Sequence, residues 1–78
     1  MTSLEQDADA PDLVAQLMSA SDRTGRTLTV RSYRQRGRSF VEIEQTAPNG
    51  RSYHIRLYPN HLRQVLDALG TFAESERL

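Results

Sequence analysis

An α+β fold follows from three observations on this chain of 78 residues. Three runs between Arg26 and Tyr58 alternate apolar and polar residues with a period of two, as strands of a sheet covered on one side do. Their connections are short and rich in turn formers, with Gly37 in "RQRGR" and Asn49-Gly50 in "APNG". After Pro59 the period becomes that of a helix, with Leu62, Val65, Leu66, Leu69 and Phe72 on one stripe. The expected architecture is a three- to four-stranded antiparallel β-meander followed by an amphipathic C-terminal helix, with a short N-terminal helix ahead of the sheet.

Taken in order, residues 1–10, "MTSLEQDADA", are polar and acidic and are read as a disordered arm; residues 11–78 form a single domain. "PDLVAQLMSA" predicts a short helix, because Pro11 suits a first turn, Asp12 suits the positive end of the helix dipole, and Leu13, Val14, Leu17 and Met18 fall on one side. Gly25 ends it. In "RTLTVRSY", Leu28 and Val30 oppose Thr29, Arg31 and Tyr33; in "SFVEIEQ", Val41 and Ile43 oppose Phe40, Glu42 and Glu44. "RSYHIRLY" sets Tyr53, Ile55 and Leu57 against His54, Arg56 and Tyr58. Each strand therefore has a core side and a decorated side. The Asn49-Gly50 pair predicts a hairpin, because both residues tolerate positive φ. Pro59 lacks an amide hydrogen and ends the ladder, Asn60 is the expected helix cap, and Gly70 is a point where the helix frays or bends.

One sheet and one helix bury little for so short a chain, and no cysteine is present to add a disulfide or a thiolate metal site. A homodimer that shares the apolar surface is the expected remedy. No apolar run approaches the ~20 residues of a membrane span, and Met1 to Ala20 carries acids and no base, unlike a secretory signal. The expected location is cytoplasmic, or on the nucleoid of a bacterium.

The formal charge of zero hides a division along the chain. Residues 1–22 hold five acids and no base, whereas residues 23–58 hold eight arginines against Glu42 and Glu44. The cations are all arginine, a planar donor suited to phosphate and to stacking and also a common product of GC-rich coding. An arm running from Glu5 to Asp12 could fold over the arginine-rich loop and compete with an anionic ligand, or serve only as a solubilising tail.

Catalysis finds little support. His54 and His61 have no neighbour at metal-ligand spacing, so no metal site and no cofactor is expected. Glu42 and Glu44 share a side of the middle strand between strands bearing Arg31 and Arg56, where cross-strand ion pairs account for them without acid–base chemistry. With no glycine-rich phosphate loop and no nucleophile elbow, an enzyme is not expected.

The decorated side carries Arg31, Tyr33, Phe40, His54, Arg56 and Tyr58, and the neighbouring loop adds Arg34, Arg36 and Arg38. Guanidinium groups that neutralise phosphates, interleaved with rings that stack on bases, hold single-stranded nucleic acid with little sequence preference. The competing reading is a protein-interaction module, a small homodimeric adaptor in which Phe40 and Tyr58 cover an interface and Arg31 and Arg56 only neutralise the glutamates.

The segments "RTLTVRSYRQRGRSFVEIEQ" and "GRSYHIRLYPNHLRQVLDAL" resemble the single-stranded-DNA-binding transcriptional coactivators of the positive-cofactor-four type and, more distantly, the PUR-repeat and whirly-like domains. The resemblance rests on the "VRSY" strand, the "GRSFVEIEQ" strand and the "IRLYPNHLRQVL" passage, and it covers about residues 26–72. It implies a homodimer built on the helices, with curved sheets presented to unpaired DNA, and a role in transcription regulation. On that analogy Arg31, Tyr33, Phe40, Arg56, the loop arginines and Arg51 take contacting roles. Three features differ from the family: no strand is evident before Arg26, lysines are absent, and Leu62 stands where the family helix often has tryptophan. The predicted element order also resembles a double-stranded-RNA-binding domain, but "PNHLRQV" lacks that domain's lysine cluster.

Overall fold

A computed structural model describes residues 10–78; residues 1–9, most of the predicted acidic arm, lie outside the described part. The described chain is a four-stranded antiparallel sheet in sequence order followed by one helix. The strands are β1 (Asp12–Ser21), β2 (Thr27–Gln35), β3 (Arg38–Thr46) and β4 (Ser52–Leu57), and the helix is α1 (Pro59–Glu76).

The expected N-terminal helix is instead β1, which pairs with β2 along its whole length. The physical reason lies in two bulges. Val14 falls between the pairs Leu13↔Tyr33 and Ala15↔Ser32, and Leu17 between Gln16↔Arg31 and Met18↔Val30. Each bulge inserts one residue and resets the alternation, so a strand bulged every third residue places its aliphatic side chains three and four apart. That spacing is also the signature of an amphipathic helix. Asp12 accordingly sits opposite Arg34 in the ladder and caps nothing.

The other three strands keep the predicted two-residue rhythm. Val30, Ile43 and Ile55 are cross-strand partners on one side of the sheet, and Val41 faces Leu57. The β2–β3 connection is tighter than expected: Gln35 pairs with Arg38, leaving Arg36 (φ 52) and Gly37 (φ 77) as a two-residue turn. Positive φ at both central positions is what the right-handed twist of a hairpin asks of a type I′ turn.

The hairpin expected at Asn49-Gly50 forms, with Gly50 at a positive φ of 88° and Asn49 at a negative one. Pro48 locks its own φ near −65°, which excludes the mirror-image turn there. The chain makes a turn from Ala47 to Gly50, with Gly50 N–H donating to the Ala47 carbonyl at 2.9 Å and Asn49 Oδ1 accepting from Arg51 N–H at 3.0 Å.

The β1–β2 turn is built the same way, and one carboxylate organises it. Asp22 Oδ1 accepts from Thr24 Oγ1 at 2.6 Å, Thr24 N–H at 2.9 Å and Arg26 N–H at 3.1 Å. The Thr24 hydroxyl first, and then the Arg26 amide, hold the Asp22 pKa below its ordinary 3.8. A depressed carboxylate pKa contributes stability above the unfolded value, and that stability is lost as pH falls through the folded value. Asp22→Asn is expected to melt below wild type at pH 7 and to converge with it below pH 3.8, which thermal unfolding across a pH series will test. Gly25 (φ 86) lies against the β3–β4 turn, where an added Cβ would stand 3.2 Å from Pro48 Cγ, so the two turns support each other at one end of the sheet.

Helix α1 starts one residue before the predicted Asn60 cap. Tyr58 is the N-cap residue in extended conformation, no side chain caps the first turn, and Pro59 occupies the first helical position. Proline is suited there because its missing N–H would have had no intrahelical partner. The helix runs through Gly70 to Glu76 and closes with Arg77 in the left-handed region, whose N–H and that of Leu78 bond back to Glu74 and Ala73. Only the beginning of α1 approaches the sheet, at β3, where Val41, Leu57, Pro59 and Leu62 enclose an apolar pocket of about 100 Å³.

Val65 is half-buried, but the outer part of the predicted stripe finds no cover among the described residues. Leu66, Leu69 and Phe72 are 56–57% exposed, and Tyr53 and Ile55 on the helix side of β4 are 65% and 56% exposed. The radius of gyration is 15.4 Å, against about 11 Å for a compact chain of this size.

Candidate nucleic-acid interface

Directly opposed residues share a side of an antiparallel sheet, so the register lays out the side away from α1 as cross-strand rows. At the β2–β3 hairpin end come Leu13, Tyr33 and Phe40; next come Gln16, Arg31, Glu42 and Arg56; then Ser19, Thr29, Glu44 and His54; and last Ser21, Thr27, Thr46 and Ser52. The surface therefore grades from aromatic through charged to hydroxyl-bearing. Hydroxyl pairs close the far end, Ser21 with Thr27 at 2.9 Å and Thr46 with Ser52 at 3.0 Å.

The aromatic end is a packed cluster. Tyr33 stacks on Phe40 with ring centroids 5.4 Å apart and planes 17° from parallel, and Tyr58 meets Phe40 from the other side at 5.4 Å and 49°. Two guanidinium groups lie over rings, Arg56 4.1 Å from the Phe40 centroid and Arg38 4.7 Å from that of Tyr58. Offset ring pairs and cation–π contacts each contribute about 0.5–1.5 kcal/mol beyond burial, so the cluster holds its shape without a ligand. Phe40 is only 3% exposed, the most buried apolar residue among those described. It cannot present a free ring to a base; Tyr33 and Tyr58, half-buried above it, can.

The two glutamates make the cross-strand ion pairs expected of them, one diagonal and one direct. Arg31 donates to Glu44 at 3.1 Å, a bond that pushes the Arg31 pKa further up. Arg56 stands 3.9 Å from Glu42. These half-exposed pairs orient the guanidinium groups and leave both cations partly neutralised before any ligand arrives.

Arg36 and Arg38 flank a cavity of about 350 Å³ with Gln35, Phe40 and Tyr58. Arg36 occupies the left-handed region at the hairpin tip, where glycine or asparagine is favoured and other residues lose about 1 kcal/mol. On the other flank of Phe40, a cavity of about 230 Å³ is lined by Pro11, Tyr33, Phe40, Glu42 and Arg56.

Of the residues singled out in the sequence, Arg31, Tyr33, Arg38, Phe40, Arg56 and Tyr58 come together, with Arg36 at the tip beside them. His54 shares the surface one row further on, opposite Glu44. Arg34 does not join them. It is read as a loop residue, but β2 continues to Gln35, and strand parity turns Arg34 with its partner Ser39 towards the helix side. Arg51 lies in the β3–β4 turn, at the opposite end of the sheet from the hairpin. Gln35 and Pro11 also line the cavities; Gln35 follows from extending the two-residue rhythm to the turn, whereas Pro11 is there only because β1 is a strand.

Among the described residues, no group of three His, Cys, Asp or Glu side chains is placed to hold a metal ion, and no helix is long and apolar enough to cross a membrane. No protein-family model, curated protein or solved structure matches this chain.

Proposed function

We propose that this protein binds single-stranded nucleic acid, with DNA as the favoured reading, at low overall sequence specificity, and serves transcription as a coactivator-like regulator. The observation that carries the reading is the Tyr33–Phe40–Tyr58 ring cluster with Arg38 and Arg56 laid over its rings, on a sheet surface uncovered in the described chain. Unpaired bases stack on the tyrosines, phosphates meet the hairpin arginines, and a duplex, whose bases are already stacked, offers no ring to the platform. The resemblance to the positive-cofactor-four-type coactivators supports the same reading, since it implies four strands before the helix and β1 supplies the fourth.

The same proposal includes a homodimer. The helix side of the sheet and the stripe of α1 are both apolar and both exposed, and a second copy related by a two-fold axis offers each the other as cover. This apolar surface is also what would favour the adaptor reading.

Fluorescence anisotropy with a labelled strand of about 20 nucleotides and with its duplex, across a salt series, separates the two. The expected result is tighter binding of the single strand, with log affinity falling linearly with log salt at about 0.7 per phosphate neutralised. Replacing both Arg36 and Arg38 by alanine is expected to reduce that slope by about 1.4. Absence of any salt-dependent binding leaves the adaptor as the function.

A further inference from the structure

On a surface that meets polyanions a carboxylate is a liability, and Glu42 stands in the middle of one. Its side chain is 20% exposed and its Arg56 partner stands 3.9 Å away, beyond hydrogen-bonding distance. Glu44 differs, because Arg31 donates to it at 3.1 Å. Glu42 also lines the cavity of about 230 Å³ walled by Tyr33 and Phe40, the space beside the stacking platform that one base can enter.

A carboxylate accepts hydrogen bonds and donates none, so it welcomes a base edge bearing an amino group and repels one bearing carbonyl oxygens. Resting on the nucleic-acid reading above, we infer that Glu42 is a specificity-determining residue that selects amino-bearing bases over thymine and uracil in the cavity between Tyr33 and Arg56. Cytosine and thymine isolate the effect: the rings are of one size and stack alike, but cytosine presents an amino group where thymine presents a carbonyl. Arg56, beside the carboxylate at 3.9 Å and lining the same cavity, can donate to the base's remaining acceptors.

The test is the ratio of affinities for oligo-dC and oligo-dT of equal length at one salt concentration. Wild type is expected to prefer oligo-dC by about tenfold, the discrimination of one well-made base contact. Glu42→Gln keeps shape, removes the charge and supplies both donor and acceptor, so it is expected to tighten oligo-dT and bring the ratio near one. Glu44→Gln serves as the control: it removes a charge from the same surface but not from the cavity, and is expected to raise both affinities while leaving the ratio intact. Melting curves establish that each variant is folded. Equal wild-type affinities, or a preference that survives Glu42→Gln, overturn the assignment and leave strand binding standing. Failure to bind either oligonucleotide removes both this inference and the reading on which it rests.

Discussion

Phe40→Ala is expected to lower the unfolding free energy by about 3–5 kcal/mol, the usual loss when a buried phenyl ring is removed. A domain of this size has about 4–12 kcal/mol in total, so the variant is expected to be partly or wholly unfolded at 37 °C. The loss is large because the ring anchors three others: Tyr33, Tyr58 and the Arg56 guanidinium all rest on it, and truncation strands each of them in water. Tyr58→Ala makes the informative contrast. Tyr58 is half-buried at the rim, so its removal is expected to lower stability less and to weaken single-strand binding by about 1–3 kcal/mol, one lost stacking contact. Urea unfolding followed by circular dichroism, with anisotropy on the same preparations, separates the two effects. A Phe40→Ala variant as stable as wild type would show that the cluster contributes nothing to folding.

Leu69→Gln is expected to break the proposed dimer. Leu69 lies on the uncovered stripe of α1 between Leu66 and Phe72 and is 57% exposed in the single chain. Glutamine keeps good helix propensity, so the helix itself survives. Burying a leucine stabilises by about 1.5–3 kcal/mol, and a two-fold interface counts each change twice, giving about 3–6 kcal/mol of lost association. Sedimentation equilibrium at micromolar concentration is expected to give wild type at twice 8.9 kDa and the variant at 8.9 kDa. A wild-type chain that sediments as a monomer, or a variant that stays paired, rules the interface out.

How far these features are legible in the residues depends on where a periodic signal survives. β2, β3 and β4 keep an uninterrupted alternation, so their sides, the apolar partners Val30, Ile43 and Ile55, and the ion pairs of Arg31 and Arg56 follow from the amino-acid order alone. In β1 the period is corrupted by Val14 and Leu17, each an unpaired insertion whose presence is settled by pairing with β2 and not by local preference. Arg34 is misplaced for the opposite reason, since the rhythm runs further than the glycine-centred loop suggests. The burial of Phe40 is not legible at all: parity sets the side on which a ring lies, but only the convergence of Tyr33, Tyr58 and Arg56 closes it from water.

The two bulges of β1 carry a last consequence. An open sheet has two outer strands, and stacking chains edge to edge into a ribbon requires each new molecule to accept a partner on both. Along β1 the insertions at Val14 and Leu17 break the even spacing of amide and carbonyl groups that an incoming strand would need. Ribbon growth is thereby blocked on one flank, so exposed aliphatic surface can drive a closed pair without seeding a filament.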